Sequence, residues 1–482
     1  MATSRKRRIL FTILGGVLVL GGVLGYLVWD GLFRREAPRY DDIREFMKYG
    51  SVGQEVTAGI PFRVWQVLPE VFADKLPAGA DPAKGYAAFG FVYEDGHDIP
   101  IGITKSRIGF ERISLSCAAC HNSHYRARPE DAPTYFLSGT DTSFYGQRYF
   151  NFLFACANDA RFEPKTLLAA MERHGGVGAF EGLLYRFLII PKMKDELLKV
   201  EKRLNWWYDV PEAGPGRWIA FNDLKFHFAK QPRDGSIGNP DIPTMFNLKL
   251  REDIKTYHWD GFTDSLDKAM QNAAVGAGAD EPAIPREDLN RLRDWWLTQP
   301  APPYPFPVDA TLAARGKEVW ESAGCAGCHA IGRPTAGRVI PIDEIGTDRH
   351  RYDLITPGTV EGYNREAKRM YGWPQEWFIR KTEGYVAVLL DAVWLRAPYL
   401  HNGSVPTLAD LLKPPAERPK VFYRGYDLYD PVQVGYVSTG PEAEKQFRYD
   451  TALPGNGNQG HVYGTDLPPE DKAALIEHLK TL

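Results

Sequence analysis

The 482 residues are enough for two or three domains, and an ordinary hydrophobic fraction of 44% allows large cores. A net charge of −3 with no basic run beyond the N-terminus argues against nucleic acid as a partner. Of five cysteines, four fall in two Cys-x-x-Cys pairs, which leaves no structural disulfide framework.

The chain opens with Arg5-Lys6-Arg7-Arg8, followed by an uncharged stretch from Ile9 to Trp29. As a helix that stretch spans about 31 Å, enough for a bilayer core. The basic cluster is expected to stay in the cytoplasm and to send the rest of the chain outside. Tyr26 and Trp29 would then mark the far interface. A cleaved signal peptide is the rival reading, but no Ala-x-Ala-like site follows the apolar run. The spacing therefore predicts a cytoplasmic tip at 1–8 and a transmembrane anchor at 9–29.

Residues 30–299 are expected to form an N-terminal haem domain with its lead-in. Asp41 to Met47 reads as a short helix, and 87–103 as extended and rich in turns. Cys117-Ala118-Ala119-Cys120-His121 is the attachment signature of a c-type haem. Two thiols add to the two vinyl groups of the porphyrin, and the next residue brings an imidazole to the iron. No helical period precedes this motif. Arg112-Ile113-Ser114-Leu115 alternates instead, so the first haem is expected in an irregular domain. His124 reads as a solvated or propionate-bonding side chain, and Cys156 as a small buried hydrophobe. Helical spacing runs from Pro164 to Asp209, through Leu167, Leu168, Met171, Leu183, Leu184, Phe187 and Leu188. His258 and Trp259 follow a loop over 239–247. His258 is a candidate distal-pocket residue, and Trp259 either a stepping stone between haems or a core aromatic. A helix is expected from Pro285 to Leu297.

The Pro-rich run 300–307 reads as a stiff linker and the main domain boundary. Beyond it, 308–482 is expected to be a C-terminal cytochrome c-like haem domain. Asp309 is a candidate N-cap, with Leu312, Gly316, Val319 and Trp320 on one helical face. Cys325-Ala326-Gly327-Cys328-His329 repeats the attachment signature. Ala474, Leu475 and Leu479 give the closing segment an apolar face. A helix before the motif packed on a helix at the chain end is the cytochrome c plan, with Gly316 allowing close approach. The fold class is thus mainly α: two cytochrome c-like haem domains with irregular, loop-rich insertions behind one transmembrane helix. Two covalently bound haem c groups are the expected cofactors. Zinc, the other metal that takes Cys and His, fits these flanking helices less well.

The stretch from Asp309 to His329, with Leu395-Arg396-Ala397-Pro398-Tyr399-Leu400-His401-Asn402-Gly403-Ser404-Val405-Pro406-Thr407-Leu408, resembles the dihaem cytochrome c peroxidase superfamily. The Tyr399–Thr407 stretch and Gly460-His461-Val462-Tyr463-Gly464-Thr465 are most similar to its rubber-oxygenase-like branch. The resemblance covers roughly Phe91 to Leu482. It implies a reactive N-terminal haem with His121 as proximal ligand, and an electron-relaying C-terminal haem with His329 as proximal ligand. Dihaem peroxidases carry a Met shortly after the His-Asp-Gly stretch, and Leu412-Lys413-Pro414-Pro415 has none here. The sixth ligand of the relay iron is therefore assigned to His461, with Met370 as the alternative. The resemblance also implies that His401 is structural, and that backbone carbonyls of Arg396 and Pro398 hold Ca2+.

The expectation is a single-pass protein of the bacterial inner membrane with a periplasmic oxidoreductase region, reacting with peroxide or dioxygen. Its redox partner would be a small cytochrome, a cupredoxin or the respiratory chain. The alternative is a pure electron-transfer cytochrome with two closed hexacoordinate haems.

Overall fold

The computed structural model describes residues 2–482, and side chains from residue 11 onward except those of 220 and 376. It is mainly helical with small antiparallel sheets. The first helix, Ala2–Leu32, contains a 22-residue apolar stretch, Phe11–Leu32, long enough to cross a bilayer. The side chains of the basic tip at 5–8 lie outside the described residues.

The chain leaves this helix directly into a sheet. Strand β1 (Arg35–Glu36) lies at the edge of a four-stranded antiparallel sheet in the order β1-β3-β4-β2, with β2 at Ile60–Pro61, β3 at Ile103–Ile108 and β4 at Phe110–Leu115. Gly109, at φ +72°, turns the β3–β4 hairpin. The alternation at 112–115 is thus a true strand, and the lead-in to Cys117 is more ordered than the irregular segment expected. The short helix forms at Ile43–Tyr49, with Asp42 accepting from the Arg44 amide at 2.8 Å.

A large apolar core gathers Phe46, Trp65, Tyr86, Phe89, Tyr149 and Phe152 behind this sheet. Trp65 and Tyr86 stack at 3.9 Å. Cys156 is fully buried within it. The Pro164–Asp209 region forms Pro164–Arg173, Ala179–Leu184 and Ile190–Leu204, the last two continuous through one π-helical turn at Tyr185–Ile189. The predicted 285–297 helix runs from Arg286 to Thr298.

Residues 300–307 are held against the second core. Trp394 Nε1 donates to the Pro302 carbonyl at 3.1 Å, Tyr304 OH donates to Pro431 O at 2.8 Å, and Phe306 stacks on Tyr429 at 5.6 Å. The prolines stiffen a strap that lays two aromatic rings on this core. Strand β5 (Asn122–Tyr125), paired with β6 (Thr134–Leu137), brings Tyr125 into the same cluster, 5.8 Å from the Trp394 and Tyr429 rings.

Asp309 caps the helix Ala310–Ser322, accepting from the Thr311 and Leu312 amides at 2.9 Å each. That helix crosses the closing helix, Pro469–Leu479, at Gly316, where an added Cβ would run into the Ala474 carbonyl oxygen. The close approach read from the sequence is therefore a backbone contact. Gly316→Leu should cost about 3 kcal/mol, the upper end for overpacking, because the obstructing atom is backbone. Chemical denaturation checks this, and an unchanged midpoint would refute the contact.

Candidate haem sites

Cys117 follows β4 directly, and a single 3-10 turn, Cys117–Ala119, carries the first motif. The His121 amide donates to the Cys117 carbonyl at 3.0 Å. Burial pushes both thiols up to about 12, so they stand as neutral thiols at pH 7. Burial also pushes His121 down to about 4, against the pull of its bond to Pro243. The ring is thus neutral, and its Nδ1 lies 3.0 Å from the Pro243 carbonyl. A carbonyl can only accept, so the proton sits on Nδ1 and the Nε2 lone pair is left for a metal.

The second motif repeats this logic on one helical turn, Cys325–His329, entered through Gly324 at φ +80°. His329 is also held neutral by burial, and its Nδ1 lies 2.7 Å from the Val388 carbonyl. A ring fixed through its second nitrogen to a backbone carbonyl is the arrangement metal-bound histidines use. Trp296 stands against His121 at 6.1 Å and Trp320 against His329 at 6.2 Å.

Across from His329 stands His461. Their ring centroids are 6.1 Å apart. Metal–nitrogen bonds of about 2.0–2.1 Å, with about 1.1 Å from nitrogen to ring centre on each side, give roughly 6.3 Å for two imidazoles on one ion. The gap fits one iron with two axial imidazoles. His461 is neutral, pushed down to about 4 by burial and by the neighbouring His329 and Arg418. Its Nδ1 is buried without a partner, so this ring is held by its backbone. The backbone is at φ +43°, its amide donates to Ile345 O at 2.9 Å, and Gly460 packs against the Gly346–Thr347 backbone.

Arg418, which motif reading missed, secures that loop. Its guanidinium is buried and donates to five carbonyls: Asn458 at 2.6 Å, Gly460 at 2.8 Å, His461 at 3.0 Å, and Leu411 and Lys413 at 3.1 Å. Burial alone lowers it to about 10. Met370 is 50% exposed, in the last turn of the helix Pro357–Tyr371. That helix packs through Tyr363 and Ala367 in another apolar cluster, and the structure does not bring Met370 to His329.

No second imidazole stands across from His121 at comparable spacing among the described ring contacts. His258 is the histidine placed nearby. It is neutral, lowered to about 4 by burial, with Asp260 opposing and Arg351 and His121 adding to the shift. It packs on Phe262 at 4.4 Å, and its Nε2 is buried without a partner. Next to it, Trp259 Nε1 donates to Asp241 O at 2.6 Å, two residues before the Pro243 that holds His121. The Trp259 carbonyl accepts from Val386 at 2.8 Å, two residues before the Val388 that holds His329. One tryptophan is therefore joined to the supports of both His121 and His329.

His401 is buried and stacks on Tyr385 at 4.0 Å, and burial lowers it to about 3. Its carbonyl accepts from the Asp241 amide at 2.9 Å, a structural role. His124 is 7% exposed, because every residue of β5 is covered on both faces, which corrects the solvated reading. Among the described hydrogen bonds none uses the Arg396 or Pro398 carbonyl. The Arg396 guanidinium donates to Leu389 O at 2.6 Å and pairs with Asp391 at 3.1 Å.

The donor set tests which group fits. Among the described residues no three or more His, Cys, Asp or Glu side chains gather around one point. A zinc site requires such gathering. Thioether attachment separates the two sulfurs along a porphyrin edge and leaves only the imidazole on the metal.

These features are what covalent attachment of haem c requires. A family model described as RoxA-like, cytochrome c-like matches residues 384–423, the stretch from Val386 and Val388 through His401 to Arg418. It relates the chain to RoxA-like cytochromes c. Two proteins of Sinorhizobium fredii (strain NBRC 101917 / NGR234) are similar. Uncharacterized protein y4iM is 30% identical over 282 residues, 52% of this chain and 63% of that protein. Uncharacterized protein y4iJ is 49% identical over 107 residues, 20% of this chain and 18% of that protein. The matches span less than two thirds of either relative.

Proposed function

We propose that this chain is a membrane-anchored periplasmic oxidoreductase of the dihaem cytochrome c peroxidase superfamily. Cys117 and Cys120 would attach one haem c, with His121 as a ligand of its iron. Cys325 and Cys328 would attach the other, with His329 and His461 as ligands. Bound there, the haems would supply electron transfer and reaction with peroxide or dioxygen.

One observation carries the reading: His329 faces a second imidazole at two-ligand spacing, and His121 does not. This supports a closed second site and a first site with room for an oxidant. Around the open site, His258 holds a neutral imidazole with an uncommitted Nε2, fit to hydrogen-bond a bound oxidant or move its proton. Trp259 joins the two histidine supports, which favours the stepping-stone reading over a plain core aromatic. Electrons would come from a small cytochrome, a cupredoxin or the respiratory chain. The carbonyls of Arg396 and Pro398 remain the proposed seat of Ca2+. The anchor at Phe11–Leu32 would hold the protein in the bacterial inner membrane.

Titrating the fully reduced full-length protein with hydrogen peroxide tests the activity. The account expects oxidation of both haems, two electrons for each peroxide. A reduced protein indifferent to peroxide and dioxygen would be an electron carrier instead. Trp259→Phe should retain both haems but slow electron equilibration between them after flash photolysis, and it leaves the Asp241 carbonyl unpaired at a cost of about 1–3 kcal/mol. An unchanged internal rate would remove Trp259 from the path. Arg418→Gln frees most of five buried carbonyls and should release the His461 loop, raising the high-spin fraction of the C-terminal haem. An unaltered spin-resonance spectrum would contradict the positioning role.

A further inference from the structure

The most exposed apolar side chains outside the first helix and its exit include Phe187, at 74%. With Leu183 at 55% and Leu188 at 47%, it lies on the helical run 179–204 that also supplies Tyr185, Ile189, Ile190 and Met193 to the core. This run is apolar on its inner face, as a core helix must be, and also on its outer face over 183–188. The outer apolar face ends abruptly. From Lys192 onward the exposed positions are charged and pair with one another, Lys192 with Glu196 at 2.5 Å and Lys199 with Asp195 at 2.7 Å.

The apolar end of the run is the end beside the anchor. A Cβ at Gly31 would sit 2.9 Å from Leu184 Cδ1 and 3.3 Å from Phe180 Cε1, so the anchor exit packs against this helix. The exit is also stitched to the body. Strand β1 pairs with β3, the Gly109 amide donates to Arg34 O at 2.7 Å, and Asp30 bridges Arg34 at 3.0 Å and Arg107 at 2.7 Å. The body therefore cannot swing away from the end of the anchor, and residues beside that exit are held at the height of the bilayer surface.

We propose that the segment 179–189 is a second membrane contact, seating Leu183, Phe187 and Leu188 in the headgroup–acyl boundary of the bilayer that Phe11–Leu32 crosses. Arg186, exposed between them, is placed for lipid phosphates. Interfacial helices bind by this combination of apolar area and basic edge. Anchor and body can still tilt together in the bilayer, and a second contact would fix which face of the protein meets the membrane. The inference rests on the anchoring reading above.

The test uses the full chain in vesicles of phosphatidylcholine and phosphatidylglycerol, with a nitroxide label at Phe187→Cys and, as reference, at Lys202→Cys on the same helical run, about 22 Å along the axis. Cys156 is fully buried and the other four cysteines are those of the attachment motifs, so the label reports the introduced site. Power saturation is measured with oxygen and with a water-soluble nickel chelate. The Phe187 label should collide several-fold more with oxygen, relative to the chelate, than the Lys202 label does. Equal aqueous access at the two positions, in protein that resists alkaline carbonate extraction, would overturn the second contact and leave the anchor standing. Extraction of the unlabelled protein by carbonate would overturn both.

Discussion

Replacing Cys325 and Cys328 together by alanine should reduce the covalent haem count from two to one per chain. The corresponding Cys117→Ala, Cys120→Ala variant should lose the other haem, and only that variant should lose the reaction with peroxide. In the proposed reading thioether bonds would hold each porphyrin, while the imidazole of the same motif would meet the iron. Without the sulfurs, His329, His461 and the neighbouring Trp320 would lose the group their spacing fits. The first variant should therefore unfold earlier as well. Intact-mass spectrometry and haem staining after denaturing electrophoresis check the count. Two haems retained in either variant would show that the motif pairs do not attach them.

His461→Ala should convert the C-terminal haem from low-spin to high-spin, and raise carbon monoxide uptake by the reduced protein from one molecule per chain to two. His461→Met should keep the site closed and raise its potential by on the order of 0.1 V, since thioether ligation favours the reduced iron. The loop places the His461 ring 6.1 Å from that of His329, and three of the five Arg418 hydrogen bonds go to that loop, the other two tying it to Leu411 and Lys413. If His461→Ala left the spin-resonance spectrum unchanged, another side chain would be the ligand.

What could be read in advance follows from the physics of each feature. Thioether chemistry needs its cysteines and histidine in one short run, so both motifs were visible. Gly316 and Asp309 were visible because a close helix crossing and an N-cap each need particular residue types. The carbonyls of Pro243 and Val388, which set the tautomers of His121 and His329, were not, because a backbone acceptor carries no residue code. Arg418 was hidden for the related reason that it bonds only to carbonyls. His461 was preferred to Met370 through the Gly460-His461 resemblance, whereas its 6.1 Å spacing from His329 and the half-exposed position of Met370 belong to the fold. Leu183, Phe187 and Leu188 announced a helix by their spacing, but periodicity does not say whether an apolar face meets a core or a bilayer.

The division between a closed and an open site is tested most directly by counting carbon monoxide bound to the fully reduced, full-length protein against its covalent haem. The account predicts one molecule for every two haems. None bound, or two, would contradict it.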